Sequence, residues 1–257
     1  MEALARPDQT QLNSKDAGAG SQSARDPIDR LIVALDVPSA EAAMELACQL
    51  QGSCRWLKVG MELYYAAGNA VIERLRERGF EVFLDLKLHD IPNTVAGAVR
   101  SVAGVGASLL TVHALGGGQM LRAAAQAATA PGSPKLLAIT VLTSMDAAEL
   151  SAVGISDTPA VQVLRLARLA RAAGINGLVC SPEEVAAVRE QMGPDALLVT
   201  PGVRPAGSAV GDQSRIATPA EAIARGASML VVGRPITQAA DPAKTAAAIL
   251  EEIRQAS

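Results

Sequence analysis

Aromatic side chains are almost missing from this chain: Trp, Tyr and Phe together make up 2% of its 257 residues. That scarcity removes the stacking platforms on which single-stranded nucleic acids are held. Basic charge is not in excess either, because 23 Lys and Arg stand against 26 Asp and Glu for a formal net charge of −3. A nucleic-acid footprint is therefore not expected, and any anion site has to be local. With two histidines, and three cysteines that form no C-x-x-C pair, the chain offers no spaced ligand set for a metal. Cys48, Cys54 and Cys180 read as reduced thiols of a cytosolic protein. Long apolar runs are missing, and so is the basic, apolar and small-residue order of a signal peptide at the start. These absences lead us to expect a soluble cytoplasmic protein with no membrane and no nucleic-acid partner.

What is present is alternation. Residues 1–27 are rich in Gln, Ser, Asp, Ala and Gly without apolar period and are expected to be a disordered extension, leaving residues 28–257 as a single domain. From Arg30 on, short apolar runs alternate with alanine-rich amphipathic stretches. Strands are predicted at Leu31 to Asp36, Arg55 to Gly60, Glu81 to Lys87, Ser108 to His113, Leu136 to Leu142, Gly177 to Ser181, Leu197 to Gly202 and Met229 to Gly233. Helices are predicted to start near Ser39, Tyr64, Thr94, Gly117, Thr158, Pro182, Thr218 and Pro242. Eight βα units point to an α/β fold of the (β/α)8 TIM-barrel class. The competing open doubly wound sheet wants Gly-x-Gly-x-x-Gly after its first strand, where this chain has Leu35-Asp36-Val37-Pro38-Ser39.

In a barrel of this class the chemistry sits at the C-terminal ends of the strands. Asp36 closes the first strand, Lys58 lies in the second, and Asp85 and Lys87 close the third, with Asp90 in the loop beyond. Regular alternation puts Asp85 and Lys87 on one face and Leu84, Leu86 and Leu88 on the other. A run of unlike charges is what a partly buried site requires, since an unpaired buried charge costs several kcal/mol. Pro201-Gly202-Val203-Arg204 after the seventh strand and Gly233-Arg234-Pro235 after the eighth occupy the places where barrels commonly hold a phosphate. The long connection from Ser144 to Thr158 carries its own helix-like stretch, and Ala206 to Ser214 has glycines suited to hinge a closing loop around Gln213. His89 and His113 are expected to be structural.

The stretch Asp85-Leu86-Lys87-Leu88-His89-Asp90-Ile91-Pro92-Asn93-Thr94 resembles the Asp-x-Lys-x-x-Asp signature of the orotidine 5′-monophosphate decarboxylase family in its bacterial form. Leu35-Asp36, Lys58-Val59-Gly60, Leu142-Thr143-Ser144, Pro201-Gly202-Val203-Arg204, Gly211-Asp212-Gln213 and Gly233-Arg234-Pro235 fall in the same order, and the resemblance spans about residues 29–254. It implies a cofactor-free, metal-free carboxy-lyase that converts orotidine 5′-monophosphate to uridine 5′-monophosphate in pyrimidine biosynthesis. It implies Lys87 as general acid within an array of Lys58, Asp85, Lys87 and Asp90. The substrate contacts it implies are Asp36 and Thr94 on the ribose, Thr143 and Ser144 on the pyrimidine, Gln213 between base and phosphate, and Arg204, Gly233 and Arg234 at the phosphate, with Ile91 and Pro201 lining the site. A homodimer with shared sites is also implied, Asp90 and Thr94 crossing to the partner. Two alternatives remain at this point: a magnesium-dependent sugar-phosphate decarboxylase or hexulose-phosphate synthase of the same superfamily, and a non-catalytic nucleotide-binding barrel. The first would hold magnesium partly through an acidic residue at the second strand, where this chain has Lys58.

Overall fold

The computed structural model describes residues 26–205 and 217–256. Eight parallel strands close into a barrel in sequence order: β1 Leu31–Leu35, β2 Trp56–Gly60, β3 Glu81–Leu88, β4 Leu109–His113, β5 Lys135–Ile139, β6 Gly177–Val179, β7 Leu197–Thr200 and β8 Met229–Val232. All eight predicted strands form, and β1 pairs with β8 to complete the ring. Several run shorter than expected at their C-terminal ends, because Asp36, Val141 and Gly233 leave the ladder where the chain turns into a loop.

The strands read as continuous apolar runs because both of their faces are covered. One face packs into the barrel, where Ile32, Phe83, Leu109, Leu137, Val199 and Met229 meet, with Trp56, Val179, Leu197 and Val231 against them. The other face supplies residues such as Val33, Leu57, Leu84, Leu110, Leu178, Leu198 and Leu230 to the shell between strands and helices. Each of these fully buried aliphatic side chains contributes about 1.5–3 kcal/mol by leaving water. At β6 a side chain would not fit: a Cβ on Gly177 would lie 2.5 Å from the Leu136 carbonyl oxygen.

The helices start where local chemistry starts them. Ser39, Thr158, Thr218 and Asp241 each cap a helix by accepting a backbone N–H, and Pro159, Pro219 and Pro242 take the first helical position. Thr218 and Glu221 complete a capping box. The helix expected near Tyr64 is two helices, Met61–Ala67 and Asn69–Glu77, broken at Gly68 where φ is +63°. The helix expected near Pro182 starts at Val185. Within the long connection after β5, Ala147–Ala152 is helical behind an Asp146 cap. At the other end of the barrel, Pro27–Asp29 forms a single 3-10 turn before β1, packed near the closing helix Pro242–Gln255.

Candidate active site

The C-terminal ends of the strands surround a cavity of about 480 Å³ lined by Asp36, Lys58, Asp85, Lys87, Thr143 and Arg234, among others. Strand register places the charges. Ala34 pairs with Lys58 and Lys58 with Phe83, so the inward-facing positions of β1, β2 and β3 lie level, and the next inward positions bring Asp36 and Asp85 to the mouth. The result is one chain of alternating charges. Lys58 Nζ donates to Asp36 Oδ1 at 3.0 Å and lies 3.6 Å from Asp85 Oδ2, which accepts from Lys87 Nζ at 2.9 Å. The side chains of Lys58 and Asp85 are 11% and 12% exposed, and removing either partner of such a buried pair typically costs about 3–5 kcal/mol. Gly60 leaves the space that this array needs. A Cβ there would sit 3.0 Å from Lys58 Nζ and 3.2 Å from Asp36 Oδ1.

Lys87 reaches the cavity beside Asp85 as alternation predicts, with Leu84, Leu86 and Leu88 packed on the other face, but its backbone is irregular. Between the paired positions Leu84–Leu110 and Leu88–Val112 the register shifts, and Lys87 takes φ +50°, the only positive value on a non-glycine among the described residues. A left-handed lysine costs on the order of 1–3 kcal/mol and persists only when its surroundings hold it. Here the Lys87 N–H donates to Thr111 Oγ1 at 2.8 Å, and the Thr111 hydroxyl donates in turn to Asp85 Oδ1 at 3.0 Å. The ammonium still reaches the cavity, but through an irregularity that alternation does not foresee.

On the opposite wall, Pro201, Val203 and Arg204 after β7 and Gly233, Arg234, Pro235 and Gln238 after β8 line the same cavity. Arg204 is 9% exposed, and its Nε–H, fully shielded from solvent, has no partner among the described residues. A buried donor on a guanidinium without an acceptor suits an anionic ligand. The base of the loop after β7 is pinned by a bridge between Val203 and Ala217, with the Arg204 N–H donating to the Ala217 carbonyl at 3.0 Å. Gln213 and the expected closing segment Ala206 to Ser214 lie outside the described residues.

The expected site residues thus divide. Asp36, Lys58, Asp85, Lys87, Thr143, Pro201, Arg204, Gly233 and Arg234 converge on one cavity. Ser144, in the turn after Thr143, is exposed and not among its lining residues. Asp90, Ile91 and Thr94 are exposed on the rim and do not line the cavity of their own chain. Asp90 Oδ1 instead accepts the N–H of Ile91 at 2.6 Å. Within the chain the charge array therefore consists of Asp36, Lys58, Asp85 and Lys87. Thr111 and Gln238 were not foreseen; Gln238 could have been reached by its spacing four residues after Arg234 at a helix start. The two histidines stack, ring centroids 5.1 Å apart and planes 18° from parallel. Burial pushes His113 down to about 4, aided by the nearby positive charges of His89 and Lys87.

A second, larger cavity of about 960 Å³ opens at the N-terminal mouth of the barrel, lined by Asp29, Trp56, Glu81, Ser108 and Lys135 among others. Two of its carboxylates pair locally: Asp29 with Arg55 and Glu81 with Arg76, each at 2.7 Å. Burial raises the Glu81 carboxyl, but the hydrogen bonds from Arg76 and Ser108 and the charges of Arg76 and Arg55 outweigh it and hold the group below its usual range.

The sequence matches the profile of the orotidine 5′-phosphate decarboxylase / HUMPS family over residues 29–249. It is 60% identical over 228 residues to an orotidine 5′-phosphate decarboxylase of Halorhodospira halophila, covering 88% of this chain and 97% of that protein. To the protein of the same name from Thermobifida fusca it is 54% identical over 226 residues, covering 88% and 96%. Among solved structures, orotidine 5′-phosphate decarboxylase from Lactobacillus acidophilus superimposes with a TM-score of 0.78 at 43% identity, covering 88% of this chain and 99% of that one.

Proposed function

The chain belongs to the orotidine 5′-phosphate decarboxylase / HUMPS family, and on that premise we propose that it converts orotidine 5′-monophosphate to uridine 5′-monophosphate and carbon dioxide with Lys87 as the proton donor. The observation that carries this reading is the unbroken series Asp36, Lys58, Asp85, Lys87 in a cavity whose far wall bears Arg204 and Arg234. When the carbon–carbon bond to the carboxylate breaks, its electron pair stays on the ring carbon and carbon dioxide leaves. The ring offers no attached electron sink, so the protein has to stabilise that charge by groups already in place. The Lys87 ammonium does so and then gives its proton to the carbon, after which solvent restores it. Asp85 orients the ammonium through its 2.9 Å contact and places negative charge beside the departing carboxylate. Arg204 and Arg234 hold the phosphate, and that remote binding supports the chemical step as well as affinity.

Asp36 binds a ribose hydroxyl through the carboxylate oxygen that Lys58 leaves free. Thr143 meets the pyrimidine, with Ser144 and Gln213 completing that side. Lys58 stands at the second strand with its ammonium between Asp36 and Asp85, which disfavours the magnesium-dependent alternative. Asp90, Ile91 and Thr94 serve the neighbouring subunit's site in a homodimer. Four of the six exposed large apolar residues among the described ones, Met61, Tyr65, Ile91 and Leu115, follow β2, β3 and β4 in turn and so share that sector of the rim. A cytoplasmic carboxy-lyase acting in pyrimidine nucleotide synthesis fits the absence of any described helix long and apolar enough to cross a membrane.

The test is a spectrophotometric decarboxylation assay on orotidine 5′-monophosphate with chelator present and no added metal. Turnover is expected; no turnover, or turnover abolished by the chelator, overturns the reading. Mixing inactive Lys87→Ala and Asp90→Ala proteins should restore up to about a quarter of the activity, since half of random dimers are hybrid and one of their two sites is intact. No recovery after verified subunit exchange sinks the shared site.

A further inference from the structure

We propose that Thr111 is a positioning residue for the decarboxylation, setting both the orientation of the Asp85 carboxylate and the backbone conformation that delivers Lys87; the proposal rests on the reading of Lys87 as proton donor. No residue of β4 lines the catalytic cavity, and Thr111 itself is fully buried, so it does not touch substrate. It acts through its neighbours. Between the paired positions Leu84–Leu110 and Leu88–Val112, three residues of β3 face one of β4, Thr111. A main-chain ladder cannot serve the extra residues, and the Lys87 N–H is left facing β4 without a carbonyl.

A threonine hydroxyl has one proton to donate and lone pairs to accept with. Here Oγ1 accepts the Lys87 N–H at 2.8 Å and its proton goes to Asp85 Oδ1 at 3.0 Å. Both ends of the irregularity are thereby tied to one atom on a β-branched side chain with a stiff χ1. Asp85 is left with Oδ2 for the two ammonium groups, at 2.9 Å from Lys87 and 3.6 Å from Lys58. Without the hydroxyl, the Asp85 carboxylate loses the anchor that fixes its rotation, and Lys87 loses the bond that holds φ at +50°.

The experiment compares the unsubstituted protein with Thr111→Val and Thr111→Ser, measuring kcat and KM for orotidine 5′-monophosphate and affinity for uridine 5′-monophosphate by titration calorimetry. Valine keeps the shape and removes both bonds, whereas serine keeps the hydroxyl. Thr111→Val is expected to lower kcat about a hundredfold, since misplacement of a catalytic group by roughly 1 Å has effects of that size. KM and product affinity should stay within about threefold, because the phosphate side of the cavity is built on β7 and β8, and Thr111→Ser should recover most of kcat. The proposal fails if kcat of Thr111→Val falls by less than about tenfold, if product affinity falls in parallel with kcat, or if serine is as slow as valine. Should the valine protein not fold, Thr111→Ala against Thr111→Ser applies the same criteria. No turnover by the unsubstituted protein overturns the decarboxylase reading itself; normal turnover by the unsubstituted and valine proteins alike overturns the positioning role alone.

Discussion

At the N-terminal mouth of the barrel two separate ion pairs form, Arg55 with Asp29 and Arg76 with Glu81, on side chains between 31% and 49% exposed. At the C-terminal mouth Lys58 is shared by two carboxylates and Asp85 by two ammonium groups, with Lys58 and Asp85 nearly out of solvent. The first mouth has the larger cavity, about 960 Å³ against 480 Å³, and its floor is the apolar interior of the barrel, with Trp56, Leu109, Leu197 and Met229. Volume therefore does not single out the proposed site. The proposed site is marked instead by shared charge, facing a wall where Arg204 has a buried donor unmatched among the described residues. Ion pairs at exposed positions contribute little and can be lost, whereas a buried shared array is costly to assemble and is maintained where it is used.

Substitutions at the two mouths separate these cases. Lys87→Ala should lower kcat by about 10³-fold or more, the scale of a lost general acid and electrostatic stabiliser, while calorimetry still detects uridine 5′-monophosphate binding. Retained turnover would erase the distinction drawn for the C-terminal mouth. Arg234→Ala should weaken binding of the phosphorylated ligand about a hundredfold, and binding of the free nucleoside much less, consistent with a charge-assisted contact worth roughly 2–5 kcal/mol. Equal losses on both ligands would detach the phosphate from this wall. For Gly60→Ala the added Cβ crowds Lys58 Nζ and Asp36 Oδ1, and kcat/KM should fall by about tenfold through displacement of the array. An unchanged value would show that the array tolerates movement.

At the other mouth, Glu81→Gln should leave kcat/KM within about twofold and cost at most about 1 kcal/mol in denaturant unfolding at pH 7. The sign follows from linkage: the Glu81 carboxyl is held low in the folded protein, so its contribution is present above the carboxyl's unfolded-state titration and is lost as pH falls through the folded one. Accordingly the stability difference between Glu81→Gln and the unsubstituted protein should shrink in acid. A large loss of activity from this substitution would join the two mouths functionally.

The barrel was legible because eight short apolar runs alternate with amphipathic stretches, capping residues such as Ser39, Thr158 and Thr218 mark where helices begin, and side chains within a strand change sides at a period of two. The same period put Asp36 and Lys58 inside. It also put Lys87 beside Asp85, but it did not show the left-handed backbone there, which goes with a register shift against Thr111 that involves residues 24 apart and leaves no local signal. Thr111 itself was hidden for the same reason, since a buried threonine in a strand reads as ordinary packing. The placement of Asp90, Ile91 and Thr94 outside their own chain's cavity is a matter of loop direction after β3, and the Asp-x-Lys-x-x-Asp spacing does not specify it.

The left-handed backbone at residue 87 sets the molecule's durability against its activity. Glycine or asparagine would occupy that conformation with less strain than lysine, so the substitutions that ease the fold at this point also delete the amine proposed as proton donor. Selection for heat tolerance alone would therefore tend to disarm the enzyme at this residue, and a screen that scores both survival and turnover should find the two in opposition here.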